Sequence, residues 1–139
     1  MSVFFTDRDL GLEFPTILRK AGLTVECHRD HFSHDCPDDR WLATVAGSGW
    51  VALTHDSRIR YKPNELAAVV AHRLTLLVIV GKAPFPLLAR SFVATLASIN
   101  AFVEAHAPPV IGKVYRASVQ DLTQDPNAPG RVELWYPRP

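Results

Sequence analysis

The sequence predicts a single α/β domain with a central, mainly parallel sheet flanked by helices. Three observations predict it: short apolar runs alternate with segments of helical periodicity, the connections are long enough to favour parallel pairing, and two of the apolar runs end in carboxylates. The chain has 139 residues, of which 47% are hydrophobic and 21% charged. That length and composition suit one domain that folds around its own core.

The first part of the chain alternates strand and helix. Gly22 supplies a stop for the first predicted helix, and Pro37 suits the first turn of the second, where its missing N–H is no loss. Trp41, Leu42 and Val45 form the apolar stripe of that second helix. The predicted elements are a strand within residues 3–11, a helix over 12–21, a strand at 23–27, a polar loop at 29–35, a helix from 37 to about 46, and a strand within 49–56.

The second part continues the alternation and ends in a polar tail. The predicted elements are a short irregular segment at 57–62, a helix over 63–72, a strand at 74–80, a loop at 81–85, one long helix over 86–106, and a strand at 110–115. The tail is rich in turn residues and then alternates apolar and polar over 131–136, which predicts a closing strand paired with the previous one. We expect a domain over residues 1–116 and a tail with an extra strand over 117–139.

Charge is unevenly distributed along the chain. Residues 1–56 carry nine acids and five bases, a balance of −4, whereas residues 57–116 carry eight bases and two acids, a balance of +6. Such a separation could build an acidic metal site beside a basic surface for phosphates, and it is equally compatible with solvated charges that are uneven by chance. No apolar run approaches the roughly 18 residues that span a bilayer, so we expect no membrane partner and a cytoplasmic protein.

Carboxylates are expected to converge at the carboxyl ends of the strands. Asp7 and Asp9 follow the first strand, and Asp56 follows the strand at 49–56, so parallel neighbours would bring them together. Like charges at such distances repel by several kcal/mol unless a cation or a shared proton relieves them. Asp38 begins a helix on the face of Trp41 and Leu42, which packs on the sheet, whereas Asp39 points nearer Ala43. We therefore expect a divalent-metal site.

These motifs, taken together, resemble the PIN-like nucleases, and most closely the compact branch found among toxins of VapBC-type toxin–antitoxin pairs. The resemblance covers about residues 3–105 and rests on three stretches in the right order, which are residues 4–11, 37–42 and 49–59. It implies a three-layer domain with its acidic site at the carboxyl-terminal rim of the sheet. It also implies Mg²⁺ or Mn²⁺ bound by carboxylates and the hydrolysis of RNA phosphodiesters.

Carried over residue by residue, the resemblance implies catalytic and metal-binding roles. Asp7 would be the first-strand carboxylate, Asp38 the helix-start carboxylate and Asp56 the one that closes the Thr-x-Asp motif, with Asp9 as a further metal ligand. Thr54 would bond to a carboxylate or to the scissile phosphate. Longer members offer another acid after a later strand, where this chain has residues 80–82 without one, which leaves the number of metal ions open.

Partners follow from the same interpretation. Basic residues at or near the strand ends are expected to hold the RNA backbone, and these are Arg8, Arg58, Arg60 and Lys82. An antitoxin protein is expected to cover the site, with the long helix and the tail at Trp135 and Tyr136 as contact surfaces. A homodimer is compatible with the sequence.

Two other protein classes, one of enzymes and one of phospho-acceptor domains, share part of this pattern. In a haloacid-dehalogenase-like phosphohydrolase, Asp7 would be the nucleophile, Asp9 the acid/base, Thr54 the phosphate-binding hydroxyl and Lys82 the stabilising cation; the later acidic pair that holds its metal is missing. A phospho-acceptor domain would use Asp7, Asp9, Asp56 and Lys82, and would leave Asp38 and Thr54 without a role. An interaction domain without catalytic activity is the third alternative.

Overall fold

The computed structural model describes residues 2–55 and 63–137. Within them, one sheet has the strand order β2-β1-β3-β4-β5-β6. The first five strands of that order are parallel, and β6 is antiparallel to β5. The strands are β1 Val3–Thr6, β2 Thr24–Cys27, β3 Val51–Thr54, β4 Thr75–Val80, β5 Val110–Tyr115 and β6 Arg131–Tyr136. The predicted mainly parallel α/β sheet is confirmed.

Helices cover both faces of this sheet. They are α1 Glu13–Lys20, α2 His28–His31, α3 Asp38–Gly47, α4 Pro63–Ala71, α5 Phe85–Ala94, α6 Leu96–Ala105 and α7 Val119–Gln124. Successive strand residues point to opposite faces, so Phe4 packs with α1, α5 and α6 while Phe5 packs with α3 and α4. The domain therefore has the expected three layers.

The two strands that end in acids are parallel neighbours. Phe4, Phe5 and Thr6 of β1 pair with Val51, Ala52 and Leu53 of β3, and the Asp7 amide continues the ladder by donating to the Leu53 carbonyl at 3.0 Å. Their carboxyl ends therefore meet at one edge of the sheet, as predicted. The predicted irregular segment at 57–62 lies outside the described residues.

The prediction of one long helix over 86–106 is wrong. Two helices, α5 and α6, meet at Thr95 with a bend of 65°. The Thr95 hydroxyl is buried, donates to the Ser91 carbonyl at 2.7 Å and accepts the Gly130 amide at 2.9 Å, so the loop before β6 is fastened at the bend. The bend carries Phe102 over β5, where a Cβ on Gly112 would lie 2.8 Å from the Phe102 ring.

Two further helices were not predicted. The segment expected as a polar loop begins with α2, because the His28 ring is buried against Phe5, Phe32 and Trp41 and so anchors one helical turn. In the tail, Ser118 precedes and caps α7, because its hydroxyl accepts the Asp121 amide at 3.1 Å. The closing strand is confirmed as β6, antiparallel to β5.

None of the helices in residues 2–55 and 63–137 is by itself long and apolar enough to cross a membrane. The bent pair α5 and α6 meets the length and composition criteria together, and both helices bury core side chains in this domain.

Candidate active site

Asp7 is the first residue beyond β1 and is almost fully buried. Its Oδ1 accepts the Arg8 amide at 2.7 Å, which caps a short 3-10 turn over Arg8–Leu10. Gly11 ends the turn with φ +65°, a left-handed conformation that glycine adopts without strain. The turn folds the chain back toward β3 and so determines where Asp9 lies.

Asp9 is held against the end of β3. The Thr54 hydroxyl donates to Asp9 Oδ2 at 2.9 Å and lies 3.3 Å from Asp7 Oδ2, so the two carboxylates share one hydroxyl. The His55 amide also donates to the Asp9 carboxylate, at 3.1 and 3.2 Å. The structure thus brings Asp7, Asp9 and Thr54 together at the rim where the sequence predicts the site.

The environment of Asp7 opposes its ionisation. Burial raises the pKa of Asp7 to about 7 from 3.8, and the negative charges of Asp9 and, less strongly, Asp38 add to the increase. The Arg8 amide and guanidinium act in the other direction and only partly offset it. A carboxyl that titrates near neutral pH is typical of functional sites, because a bound cation or a shared proton then changes its charge readily.

Asp38 faces this pair from the start of α3. The Trp41 indole N–H donates to Asp38 Oδ1 at 2.9 Å, and the Arg8 guanidinium forms an ion pair with the same oxygen at 3.3 Å. Asp39 is exposed, so the predicted difference between the two helix faces is confirmed. Asp38 contributes to the electrostatics of Asp7, which places it near the site.

Arg8 contacts the chain's own acceptors. Besides Asp38, its guanidinium donates to the carbonyl of His34 and, at 3.3 Å, to that of Cys36. It therefore connects the turn after β1 to the loop before α3. Its expected contact with RNA stays a prediction, and its side chain is one-third exposed.

The remaining predicted site residues divide into two groups. Lys82 is exposed and follows β4 at the same edge of the sheet. Asp56, Arg58 and Arg60 lie outside the described residues, so their expected roles stay predictions.

Two depressions show where a ligand has room. A cavity of about 250 Å³ opens beside Asp7 and is lined by Arg8, His28 and Arg29 among others. A larger one of about 590 Å³ lies at the opposite edge of the sheet, lined by Ser2, Gly49 and Thr75 among others. The smaller depression is the better candidate despite its size. Sheets of α/β proteins bind ligands at the carboxyl ends of their parallel strands, and those ends lie beside Asp7.

The donor chemistry suits a hard divalent cation. Within residues 2–55 and 63–137, no three His, Cys, Asp or Glu side chains are grouped so as to hold a metal ion. The Asp7 and Asp9 carboxylates, however, converge on one hydroxyl, and Mg²⁺ needs only one or two carboxylates because it retains several waters. The residues present therefore fit such an ion.

Three groups near the carboxylates were not predicted. The His55 amide belongs to the backbone, so no sequence signal identifies it. The Trp41 N–H could have been inferred, because Trp41 lies three residues after Asp38 on the same helical face. The His55 ring contacts the Gly81 carbonyl through Nε2 at 2.9 Å and packs against Phe85, which joins the ends of β3 and β4.

Comparison with known families gives one match. Residues 2–81 match the family described as PIN like domain, which is more than half of the 139 residues. No curated protein and no solved structure matches the chain. The matched segment contains β1 to β4 and Asp7, Asp9, Asp38 and Asp56, and it ends immediately before Lys82.

Proposed function

The chain belongs to the PIN-like domain family, whose fold is of the nuclease type, and from this premise we propose that it is a Mg²⁺- or Mn²⁺-dependent endoribonuclease. One observation carries the proposal. Asp7 and Asp9, which both follow β1, share the hydroxyl of Thr54 at the end of the adjacent parallel strand β3, and burial and repulsion by Asp9 raise the pKa of Asp7 to about 7. Carboxylates in such proximity favour a divalent cation.

The metal ligands we propose are Asp7, Asp9, Asp38 and Asp56. A bound divalent ion would supply Lewis-acid polarisation of a phosphodiester and lower the pKa of a water molecule. Neighbouring groups hold two of these carboxylates in position. Thr54 and the His55 amide orient Asp9, while Trp41 and Arg8 orient Asp38. Groups already held in position need no reorganisation when substrate binds, which lowers the barrier to reaction.

The RNA backbone is proposed to contact the basic residues beside the site. Lys82 is exposed at the edge that carries the carboxylates, and Arg58 and Arg60 follow Asp56 in the chain. Arg8 would contact phosphate through the exposed part of its guanidinium. Cationic side chains are needed here because the site itself is acidic and would otherwise repel a polyanion.

We also propose that the chain is the toxin of a toxin–antitoxin pair that acts in the cytoplasm. Support comes from the resemblance of three stretches, residues 4–11, 37–42 and 49–59, to the toxin branch of this family. An antitoxin that inhibits the enzyme would cover the carboxylates, and a homodimer would be compatible with that arrangement. The phosphohydrolase and phospho-acceptor alternatives gain no support from the family match.

The test is cleavage of a mixed pool of structured and single-stranded RNA with Mn²⁺, with Mg²⁺ and with EDTA. Asp7→Asn is the inactive variant and Asp39→Asn the matched control, because Asp39 is an exposed acid one residue from Asp38. We expect metal-dependent cleavage by the wild type and by Asp39→Asn, and none by Asp7→Asn. Equal activity of Asp7→Asn would refute the site. Turnover of para-nitrophenyl phosphate without RNA cleavage would favour the phosphohydrolase alternative.

A further inference from the structure

We propose that a basic groove at the carboxyl ends of β4 and β5 binds the backbone of single-stranded RNA next to the bond that is cleaved. This inference rests on the proposed function and extends it to residues that the family match does not include. The rim groove, as we call it, is lined by Lys82, Leu87, Arg116, Val119, Leu122 and Thr123 among others.

The strand order aligns this groove with the carboxylates. Along the rim, Asp7 follows β1, His55 follows β3, Lys82 follows β4 and Arg116 follows β5. Adjacent strands lie about 4.8 Å apart, so β4 and β5 are roughly 10 and 14 Å from β1 across the sheet. That separation suits a short stretch of extended nucleic acid and is too long for a single phosphate.

Direct contacts connect the two ends of this path. The His55 amide donates to Asp9, and the His55 ring contacts the Gly81 carbonyl at 2.9 Å. Arg116 lies over Gly81, because a Cβ placed on that glycine would be 3.7 Å from Arg116 Nε. Among the described residues, these contacts connect Asp9 through His55 and Gly81 to Arg116.

The shape of the groove suits a chain that lies across it. Two shallow depressions of about 420 and 300 Å³ adjoin each other and share Arg116 and Val119. Both are open, unlike the enclosed pockets that hold small molecules. Open, basic tracks beside a catalytic centre are typical of proteins that bind single-stranded nucleic acid along its backbone.

Charge in the groove is of one sign within the described residues. Lys82 is exposed and Arg116 half-buried, and neither depression is lined by an Asp or Glu. In residues 2–55 and 63–137, the Arg116 guanidinium donates to the Ala117 carbonyl at 3.4 Å, a long contact that leaves donors for a ligand. Arg8 differs, since its guanidinium already bonds to Asp38 and two carbonyls. Phosphate oxygens complement such cations.

The groove is built by the part of the chain beyond the matched segment. The match ends at residue 81, whereas Lys82, Arg116 and the α7 residue Val119 follow it. The basic balance of residues 57–116 is thus partly displayed on this edge of the sheet. We infer that this segment adds an RNA-binding surface to the nuclease-type half of the domain.

The experiment compares Lys82→Ala/Arg116→Ala with Lys20→Ala/Arg90→Ala. The control variant removes the same charge from two exposed positions that line neither depression. Fluorescence anisotropy measures the Kd for labelled single-stranded RNA in EDTA, so that nothing is cleaved, over a range of salt concentrations. Two lost phosphate contacts should reduce the slope of log K against log salt by about 1.4, at about 0.7 for each. We expect that reduction in the groove variant alone.

A second measurement locates the contact. Single methylphosphonate linkages, which remove the charge of one phosphate, are introduced at successive positions beside the cleaved bond. Wild type should lose affinity at one or more of these positions, and the groove variant should lose none there. Equal slopes for the groove and control variants would overturn the inference. If wild type cleaves RNA, that result refutes the groove alone; if it neither binds nor cleaves RNA, the proposed function fails and the groove fails with it.

Discussion

The two halves of the strand rim hold their charges in different ways. At the ends of β1 and β3, Asp7 is almost fully buried and Asp9 is bonded to a hydroxyl and an amide. At the ends of β4 and β5, Lys82 is exposed and Arg116 projects over Gly81. In the acidic half Asp7 is buried and Asp9 is hydrogen-bonded in place, whereas in the basic half Lys82 is exposed and Arg116 is half-buried.

The difference corresponds to the two tasks that the proposed nuclease function would require. A group that must stabilise a transition state is useful only in a fixed position, and a buried charge persists only where hydrogen bonds compensate its desolvation. A group that attracts a polyanion acts through its charge at a distance and gains little from burial. The following predictions test that division, from the largest effect to the smallest.

Asp7→Asn should reduce kcat, whereas Lys82→Ala should raise KM. Loss of the proposed metal ligand should remove several kcal/mol of transition-state stabilisation, which corresponds to roughly a thousandfold or more in kcat. Loss of a phosphate contact removes uniform binding, so kcat should stay within about twofold while KM rises. Steady-state kinetics on one RNA substrate measures both. A lower kcat in Lys82→Ala would show that the basic half takes part in the chemistry.

Asp7 should make the metal-free protein less stable as pH rises. Because the pKa of Asp7 is about 7 in the folded chain and 3.8 otherwise, the folded state holds more protons than the unfolded state between those values. Its contribution to the free energy of unfolding therefore falls across that interval, by up to ~4 kcal/mol. In EDTA at about pH 8, Asp7→Asn should be the more stable protein, and at about pH 4 the two should converge.

Urea unfolding at the two pH values measures this difference, and Asp39→Asn is the control because Asp39 is exposed. Adding Mg²⁺ should stabilise wild type and leave Asp7→Asn unchanged, since only a site that binds the ion gains stability from it. A less stable Asp7→Asn at about pH 8 would contradict the raised pKa.

Trp41→Phe should weaken metal binding and preserve the core. The change removes the N–H that donates to Asp38 and keeps an aromatic ring stacked on Phe5. Groups that orient metal ligands typically account for about 10–100-fold in affinity. Calorimetric titration with Mn²⁺ measures it, with Trp50→Phe as the control because Trp50 also stacks on Phe5. An equal loss in both variants would mean that Trp41 acts through packing.

Gly81→Ala should cost stability at the junction of the two halves. Gly81 has φ +124°, a conformation that costs a side-chain-bearing residue about 1–3 kcal/mol. The added Cβ would meet Arg116 and Leu88 at 3.7 and 3.8 Å, which is ordinary contact, so the cost is in the backbone. Gly47→Ala, at the end of α3 with nothing within 4 Å, should instead stabilise by roughly 0.5–1 kcal/mol. Thermal unfolding measures the stability of both variants, and equal effects of Gly81→Ala and Gly47→Ala would contradict backbone strain at Gly81.

Local patterns were sufficient to predict the strands and the acidic edge. Each strand in the described residues lies in a stretch that is either continuously apolar or alternates apolar and polar residues, which predicts a strand. Helical spacing distinguished Asp38 from Asp39. These features depend on residues close together in sequence. The bend at Thr95 was not predicted, and one of the hydrogen bonds made there comes from the Gly130 amide, 35 residues away in the chain.

The contacts of the basic residues at the strand ends were not predicted from the sequence either. Arg8 was predicted to face RNA, yet it bonds to Asp38 and to carbonyls some 26 to 30 residues later. Arg116 was not singled out, since nothing near it in the sequence resembles a binding motif; only the position of β5 beside β4 brings it next to Lys82.

The amino-acid sequence by itself determined the alternation of strands and helices, the acids that follow β1 and begin α3, and membership of the PIN-like family. Tertiary structure alone decided that Asp7 and Asp9 share Thr54, that Arg8 neutralises Asp38, and that the basic strand ends continue the acidic ones. The physical reason is that the two kinds of interaction act over different distances along the chain. Periodicity and capping act over a few residues, whereas electrostatic contacts depend on the strand order, which is set by packing across the whole sheet.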